Sequence, residues 1–243
     1  FAHAGWLAGQ VKVTYGTGSS VMTTTHGPTR PAPGLARTIA WELDEPAYAL
    51  EGNIRSSGAT LTWLATLFGC TPAEVAGAAG ASSDGVVLVP AFTGLGAPWW
   101  DDQARATITG ITAGTRLEHL ARAGLEAIAF QVEDVIAAAE QAGDAITTIL
   151  ADGGPTTNAT LMQLQADTSG RHVATAQVAE LSALGAAHVA GLGAGVWSSA
   201  DLEALPRPRT AYAPASTGTE RQRDWHAAVA AALRSNRPQE DRP

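Results

Sequence analysis

The chain has one cysteine, Cys70, among 243 residues. A lone thiol closes no internal disulfide and forms no Cys cluster for a metal, which fits a reducing cytoplasm. Basic residues are also scarce: 15 Lys and Arg stand against 23 Asp and Glu, for a formal charge of −8. That balance argues against a general affinity for nucleic acid or an anionic membrane surface. Any phosphate the protein holds must be bound by local groups, chiefly backbone N–H. Charged residues are only 16% of the chain and hydrophobic ones 45%, the composition of a folded protein with ample core. No run of about 18 apolar residues marks a membrane span. No signal peptide is seen, but the chain opens at Phe1 rather than Met, so a true N-terminus upstream is expected. FAHAGWLAG (1–9) reads as the tail of an element begun before it.

What is present is organised around ILADGGPTTNATLMQLQAD, residues 149–167. Ile149 and Leu150 end an apolar run of the kind a buried strand has. Asp152, Gly153, Gly154 and Pro155 turn the chain, and Asn158–Asp167 carries Leu161 and Leu164 on one side of a predicted helix. Glycine lets a ligand approach the backbone, and a helix N-terminus offers unpaired N–H groups to an anion. An ordinary strand-to-helix turn uses the same residues.

Elsewhere, Val11–Tyr15 and Val21–Thr25 alternate about Gly16-Thr17-Gly18, which predicts a β-hairpin. Its tip, TYGTGSS, suits a phosphate cradle of main-chain N–H groups, and equally a plain tight turn. Thr38–Leu43 and Tyr48–Gly52 read as further strands. Ser56 or Ser57 caps a predicted helix that runs to Phe68 and ends at Gly69. Thr71-Pro72-Ala73-Glu74 opens another, with proline at the first position and Glu three after the cap. Gly85–Ala91 is a buried strand leading into FTGLGAPWWDD, whose tryptophans stack on a ligand or, more commonly, pack the loop. Leu117–Ala142 is the longest helix, with an apolar stripe and His119 beside it as a packing or surface residue. His172–Ala176 is a strand, and Glu180–Gly193 is an Ala- and Gly-rich helix able to pack close to its neighbours. Leu205–Thr219 is a connector, Arg221–Arg234 a last amphipathic helix, and Ser235–Pro243 a charged tail expected to be disordered. Strands alternating with helices after a hairpin-rich start predict an α/β layered domain. There is no P-loop, zinc spacing, nucleophile elbow or dinucleotide fingerprint.

Six motifs occur in one order: TYGTG at Thr14–Gly18, YALEGN at Tyr48–Asn53, GLGAPWWD at Gly94–Asp101, Ala106–Gln131, Asp152–Asp167, and ELSALGAAHVAGL at Glu180–Leu192. Together they resemble the C-terminal half of the FGGY carbohydrate kinases, in particular those that act on glycerol. Ala106–Glu126 follows the family's C-terminal signature except at Gly124, where a larger residue is usual. The resemblance implies an actin-like ATPase domain with a ribonuclease-H-like core, a mixed sheet flanked by helices over 1–234. A second, N-terminal domain would close with it on ATP, Mg²⁺ and a polyol or sugar. By the same resemblance Thr17 and Gly18 lie at the nucleotide phosphates. Gly58 and Thr62 lie near the nucleotide, and Gly154 and Asn158 near its adenosine end.

Two departures bear on the acceptor. Ser20 stands where glycerol kinases usually set an aromatic residue against the polyol, and EGNIRSSGA replaces their usual EGSIFVAGA. A roomier, less apolar acceptor site is implied, suited to a larger polyol or sugar as well as to glycerol. Thr62 likewise replaces a common Gln. The family's catalytic base is an Asp in a Gly-Asp-x-x-Ala-Ala segment shortly upstream of TYGTG. No such segment occurs here, and the alignment sets it before Phe1. Asp84, Asp101, Asp144 and Asp152 sit in other motifs or loops, so no catalytic residue is assigned within the chain. The chain alone is expected to fold, to bind ATP or ADP weakly at best, and to lack kinase activity. An Ala- and Gly-rich face left by the absent domain is a candidate homodimer contact. The competing class is an actin-like nucleotide-binding or assembly module that phosphorylates no sugar. GLGAPWWD and Ala106–Glu126 favour the kinase.

Overall fold

A computed structural model describes residues 1–5, 7–25, 32–143, 145–178, 180–215 and 219–234. The predicted hairpin is its first feature: β1 (Gln10–Tyr15) pairs antiparallel with β2 (Ser19–Thr25), Tyr15 opposite Ser19. Val11, Val13 and Tyr15 are buried at every second position of β1, as a strand with one face on the core requires. Strands β3 (Ala36–Glu42) and β4 (Pro46–Ile54) follow, with β4 antiparallel to both β2 and β3. Strands β5 (Val87–Val89) and β6 (Thr107–Thr109) make a separate two-stranded sheet. Strands β7 (Thr148–Asp152) and β8 (His172–Ala176) add to β1 in parallel, and β9 (Arg209–Tyr212) pairs antiparallel with β8. The main sheet therefore runs β3-β4-β2-β1-β7-β8-β9. Its central five strands have the ribonuclease-H-type arrangement: an antiparallel meander, then two strands parallel to the first.

The helices are α1 (Gly58–Phe68), α2 (Pro72–Gly77), α3 (Leu117–Glu140), α4 (Ala159–Ser169), α5 (Leu181–Gly193), α6 (Ser199–Glu203) and α7 (Thr219–Arg234). Helix α3 lies in the middle of the core, touching α1, α4, α7, β2, β4 and β5. Its Leu125, Ile128, Val132, Val135 and Ile136 are fully buried. Each such side chain contributes about 1.5–3 kcal/mol of burial. Gly124 has a local reason: a Cβ there would lie 3.0 Å from a methyl of Leu64, so α1 crosses α3 too closely for a larger residue. Helix α7 is held by Arg221, whose guanidinium donates to Glu126, Ser83 and the Val86 carbonyl at 2.7–2.9 Å. Trp225 of α7 stacks on Phe130, ring centroids 5.6 Å apart, and its indole N–H donates to Asp134 at 2.6 Å.

Several predicted elements change. The connector after Leu205 contains β9, whose Arg209-Thr210-Ala211-Tyr212 is too short and polar-flanked to show a period. Helix α6 and strand β6 are likewise additions, while the strand expected over Gly85–Ala91 is hydrogen-bonded only at Val87–Val89. Helix α5 packs tightly at Gly185 and Gly191, the latter against the Trp197 ring, but Ala183, Ala186, Ala187 and Ala190 face outward. Of the tryptophans of GLGAPWWDD, Trp99 packs edge-on to Trp225 at 6.5 Å, whereas the Trp100 ring is exposed and its indole N–H donates to the Gly34 carbonyl at 2.6 Å. His119 accepts from the Arg116 N–H at the start of α3. No helix among the described residues is long and apolar enough to cross a membrane. Asp144 and the expected tail, 235–243, lie outside the described residues.

Replacing Trp225 by Ala removes a ring that is 1% exposed and should cost about 3–5 kcal/mol, read as a lower urea midpoint. His226 adds a pH term. Its hydrogen bond to Asp134 at 2.6 Å, opposed by partial burial and helped by the Asp134 charge, raises its pKa above 6.5. A raised histidine stabilises the fold fully below the unfolded value and loses that contribution as pH rises through the folded one. The difference in unfolding free energy between wild type and His226→Ala should therefore be largest below the unfolded histidine value of about 6.5 and shrink as pH rises through the raised folded one, by a small amount because the ring is half exposed. A constant difference would contradict the pairing.

Candidate functional site

A cleft of about 620 Å³ opens at the C-terminal ends of β1 and β7. Gly16 and Thr17 of the β1–β2 turn form one wall; Gly58, Leu61 and Thr62 of α1, with Pro72, Ala73, Ala76 and Gly77 of α2, form another. Gly154, Pro155, Thr157, Asn158 and Leu161 complete it from the single 3-10 turn Gly154–Thr157 and the start of α4. Of the residues singled out in the sequence, Thr17, Gly58, Thr62, Gly154 and Asn158 thus meet in one place. Gly18 lies just behind the wall and Ser20 outside it. The Ser20 hydroxyl donates to Glu51 at 3.0 Å.

Close backbone approach shapes the walls. The turn carbonyls accept from the start of α1: Ser57 and Ala59 N–H donate to Thr17 O at 2.9 and 3.0 Å, and Gly58 N–H to Gly16 O at 2.9 Å. The α1 N-terminus is thereby satisfied from within and is not an open anion site. A Cβ on Gly58 would lie 2.7 Å from Gly16 O, and one on Gly18 would lie 2.3 Å from Ile54 O. Packing of α1 and β4 against the turn explains both glycines. Gly153, at φ +97°, has a similar reason: a Cβ would stand 1.9 Å from Tyr15 O. Gly154 differs. Its Cβ would meet nothing within 4 Å, so its vacancy faces the cleft.

Donors remain for a ligand. Among the described residues the N–H groups of Thr17 and Gly154 donate to no protein group. The side-chain hydroxyls of Thr62 and Thr157 donate to Gly58 O and Gly154 O, which leaves them as acceptors toward the cleft. Asn158 caps α4, its Oδ1 accepting from Leu161 N–H at 2.9 Å. Behind the Gly16 turn the buried Tyr15 hydroxyl donates to Gln165 of α4 at 2.9 Å, and burial pushes the phenol pKa well above its usual range. Beneath the Gly153–Gly154 turn, burial opposes ionisation of Asp152, yet the His3 hydrogen bond and the Lys12 charge outweigh it and hold its pKa below the usual carboxylate value. Among the described residues no carboxylate lines the cleft. Asp84 and Asp101 lie in loops of their own: the Asp84 backbone N–H donates to Ser82 Oγ, and Asp101 Oδ1 accepts from Gln103 and Ala104 N–H.

The α2 wall escaped sequence reasoning. Its capping box was legible, and the structure has it, Thr71 with Glu74. Nothing local says that Pro72, Ala73 and Ala76 stand across from Gly154, because their meeting depends on α1 turning back at Gly69.

The model of the FGGY family of carbohydrate kinases, C-terminal domain, matches residues 11–194. Apulose kinase of Pectobacterium atrosepticum is 44% identical over 233 residues, 93% of this chain and 47% of that protein. Glycerol kinase of Thermococcus gammatolerans is 43% identical over 232 residues, again 93% of this chain and 47% of the relative. Among solved structures, Plasmodium falciparum glycerol kinase with ADP superposes with a TM-score of 0.86 at 32% identity, over 96% of this chain and 49% of that one. Xylulose kinase from Rhodospirillum rubrum gives 0.78 at 28% identity, over 94% and 48%. The chain spans about half the length of the curated relatives it matches. Its fold is that of the actin-like ATPases, and the chain belongs to the FGGY family of carbohydrate kinases, of which it is the C-terminal domain.

Proposed function

We propose that this chain is the nucleotide-binding half of an ATP-dependent kinase that phosphorylates a hydroxyl of a polyol or sugar. The observation that carries the reading is the convergence of two glycine-bearing turns, Gly16–Gly18 and Gly153–Gly154, on one cleft with free backbone donors. Phosphoryl transfer needs positioning and charge stabilisation more than covalent chemistry from the protein. In this reading the Thr17 and Gly18 turn meets the phosphates, and Gly58 and Thr62 flank the nucleotide. Gly154 and Asn158, with Leu61 and Leu161, hold its adenosine end against an apolar wall.

The described residues offer Mg²⁺ no carboxylate in the cleft and hold no cluster of three or more His, Cys, Asp or Glu suited to a metal. Mg²⁺ therefore enters the reading as a companion of the nucleotide, and no step is assigned to it on this chain. The base that takes the proton of the attacking hydroxyl belongs upstream of Phe1. Ser20, paired with Glu51, is the acceptor-side residue of this half. Relatives named for apulose and for glycerol frame the acceptor as a polyol or small sugar. The enzyme is read as cytoplasmic, and the outward alanines of α5 are its candidate face for a homodimer.

Gly154→Val fills the vacancy from inside the cleft. It should weaken ADP binding by tenfold or more while changing unfolding free energy by less than about 0.5 kcal/mol, as an exposed change does. Calorimetric titration beside urea unfolding reads both, and undiminished ADP affinity would remove the adenosine assignment. The whole protein should release ADP with at least one acceptor among glycerol, larger polyols, ketoses and aldoses, whereas this chain alone should release none. Silence of the whole protein with every acceptor would favour a nucleotide-holding assembly module.

A further inference from the structure

Beneath the cleft lies a polar cluster that the reading above leaves without a role. His3 and Asp152 are 5% and 7% exposed, and His3 Nε2 is 2.9 Å from Asp152 Oδ2. Lys12, the only lysine in the sequence, brings Nζ to 3.7 Å from the same oxygen. None of the three lines the cleft. They sit where its two turns originate. Lys12 is on β1 opposite Leu150, and Thr14 is opposite Asp152 in the parallel β1–β7 register. One residue beyond Thr14, Tyr15 leads into Gly16–Gly18; one residue beyond Asp152, Gly153 begins the other turn. Gly153 lies so close to Tyr15 O that the turns cannot shift independently.

A buried carboxylate without partners is costly, and one so near a bound phosphate would also repel it. Here its Oδ2 is turned to His3 and Lys12. His3 is itself fixed from the far side, because its carbonyl accepts from the Arg209 guanidinium on β9. We propose that His3 is a positioning residue: through Asp152 it holds the ends of β1 and β7, and so the Thr17 and Gly154 N–H groups, in the spacing a nucleotide requires. This deepens the nucleotide reading of the cleft and rests on it. A histidine that only filled space would be replaced well by a ring of similar size. A positioning histidine would be replaced by a side chain that keeps the donor.

Two variants separate these. His3→Phe keeps the volume and removes the bond; His3→Gln keeps an N–H able to reach Asp152. With His3→Phe, ADP should bind about tenfold more weakly, and the β7 amides in the ladder with β1, over Thr148–Asp152, should exchange with deuterium at least tenfold faster. With His3→Gln, both should stay within about twofold of wild type. Asp152→Asn keeps the shape but removes the charge that His3 and Lys12 share, and should move both readouts in the His3→Phe direction even if His3→Phe does not fold. Wild-type exchange and affinity in His3→Phe, or in Asp152→Asn, would overturn the proposal. So would loss in His3→Gln as large as in His3→Phe. The exchange measurement needs no nucleotide. Faster exchange without any ADP binding by the wild type would therefore sink the nucleotide reading and the proposed purpose together, whereas slow exchange with intact binding would sink the His3 role alone.

Discussion

The parallel pairing of β1 with β7 is the constraint on which the rest of this structure depends. Strands far apart in sequence, with Thr14 opposite Asp152, end side by side, so the turns that leave them open onto the same space. The register is enforced by the one buried face of β1. Val11, Val13 and Tyr15 on β1, and Ile149 and Ala151 on β7, are 0–1% exposed. A slip of one residue would turn Val11, Val13 and Tyr15 out of the core, while β7 is buried on both faces, with Leu150 as covered as its neighbours. Helix α3 packs on the same sheet at β2 and β4, and α1 and the start of α4 wall the cleft.

Glycines divide into two kinds at this site, and the division separates structure from ligand. Gly18, Gly58 and Gly153 are glycines because a neighbouring backbone oxygen occupies the place of a Cβ. Those positions would resist substitution whether or not anything were bound. Gly154 is tolerated by the protein as any residue would be, yet it opens into the cleft. Free donors at Thr17 and Gly154, with apolar Leu61, Ala76 and Leu161 nearby, suit a ligand with an anionic end and a flat apolar end.

Much of this was legible because the signals are local. The alternation about Gly16–Gly18, the stripe of α3 and the strand–turn–helix at 148–169 each follow from one stretch of chain. Asn158 is an example of a correct position with an added role, since its side chain caps α4. What the sequence withheld is what tertiary contact creates. Strand β9 exists because β8 presents an open edge, and the α2 wall exists because α1 folds back over the turn. His3 looked like one residue in an apolar tail, and only the β1–β7 pairing brings Asp152 to it across 149 positions.

The central claim is that the two glycine turns together form a nucleotide site. A crystal structure of the chain grown with ADP tests it most directly. The account requires the phosphates against the Thr17–Gly18 turn and the adenosine between Leu61 and the Gly154–Asn158 segment. Nucleotide density elsewhere on the molecule, with this cleft holding only water, would contradict it.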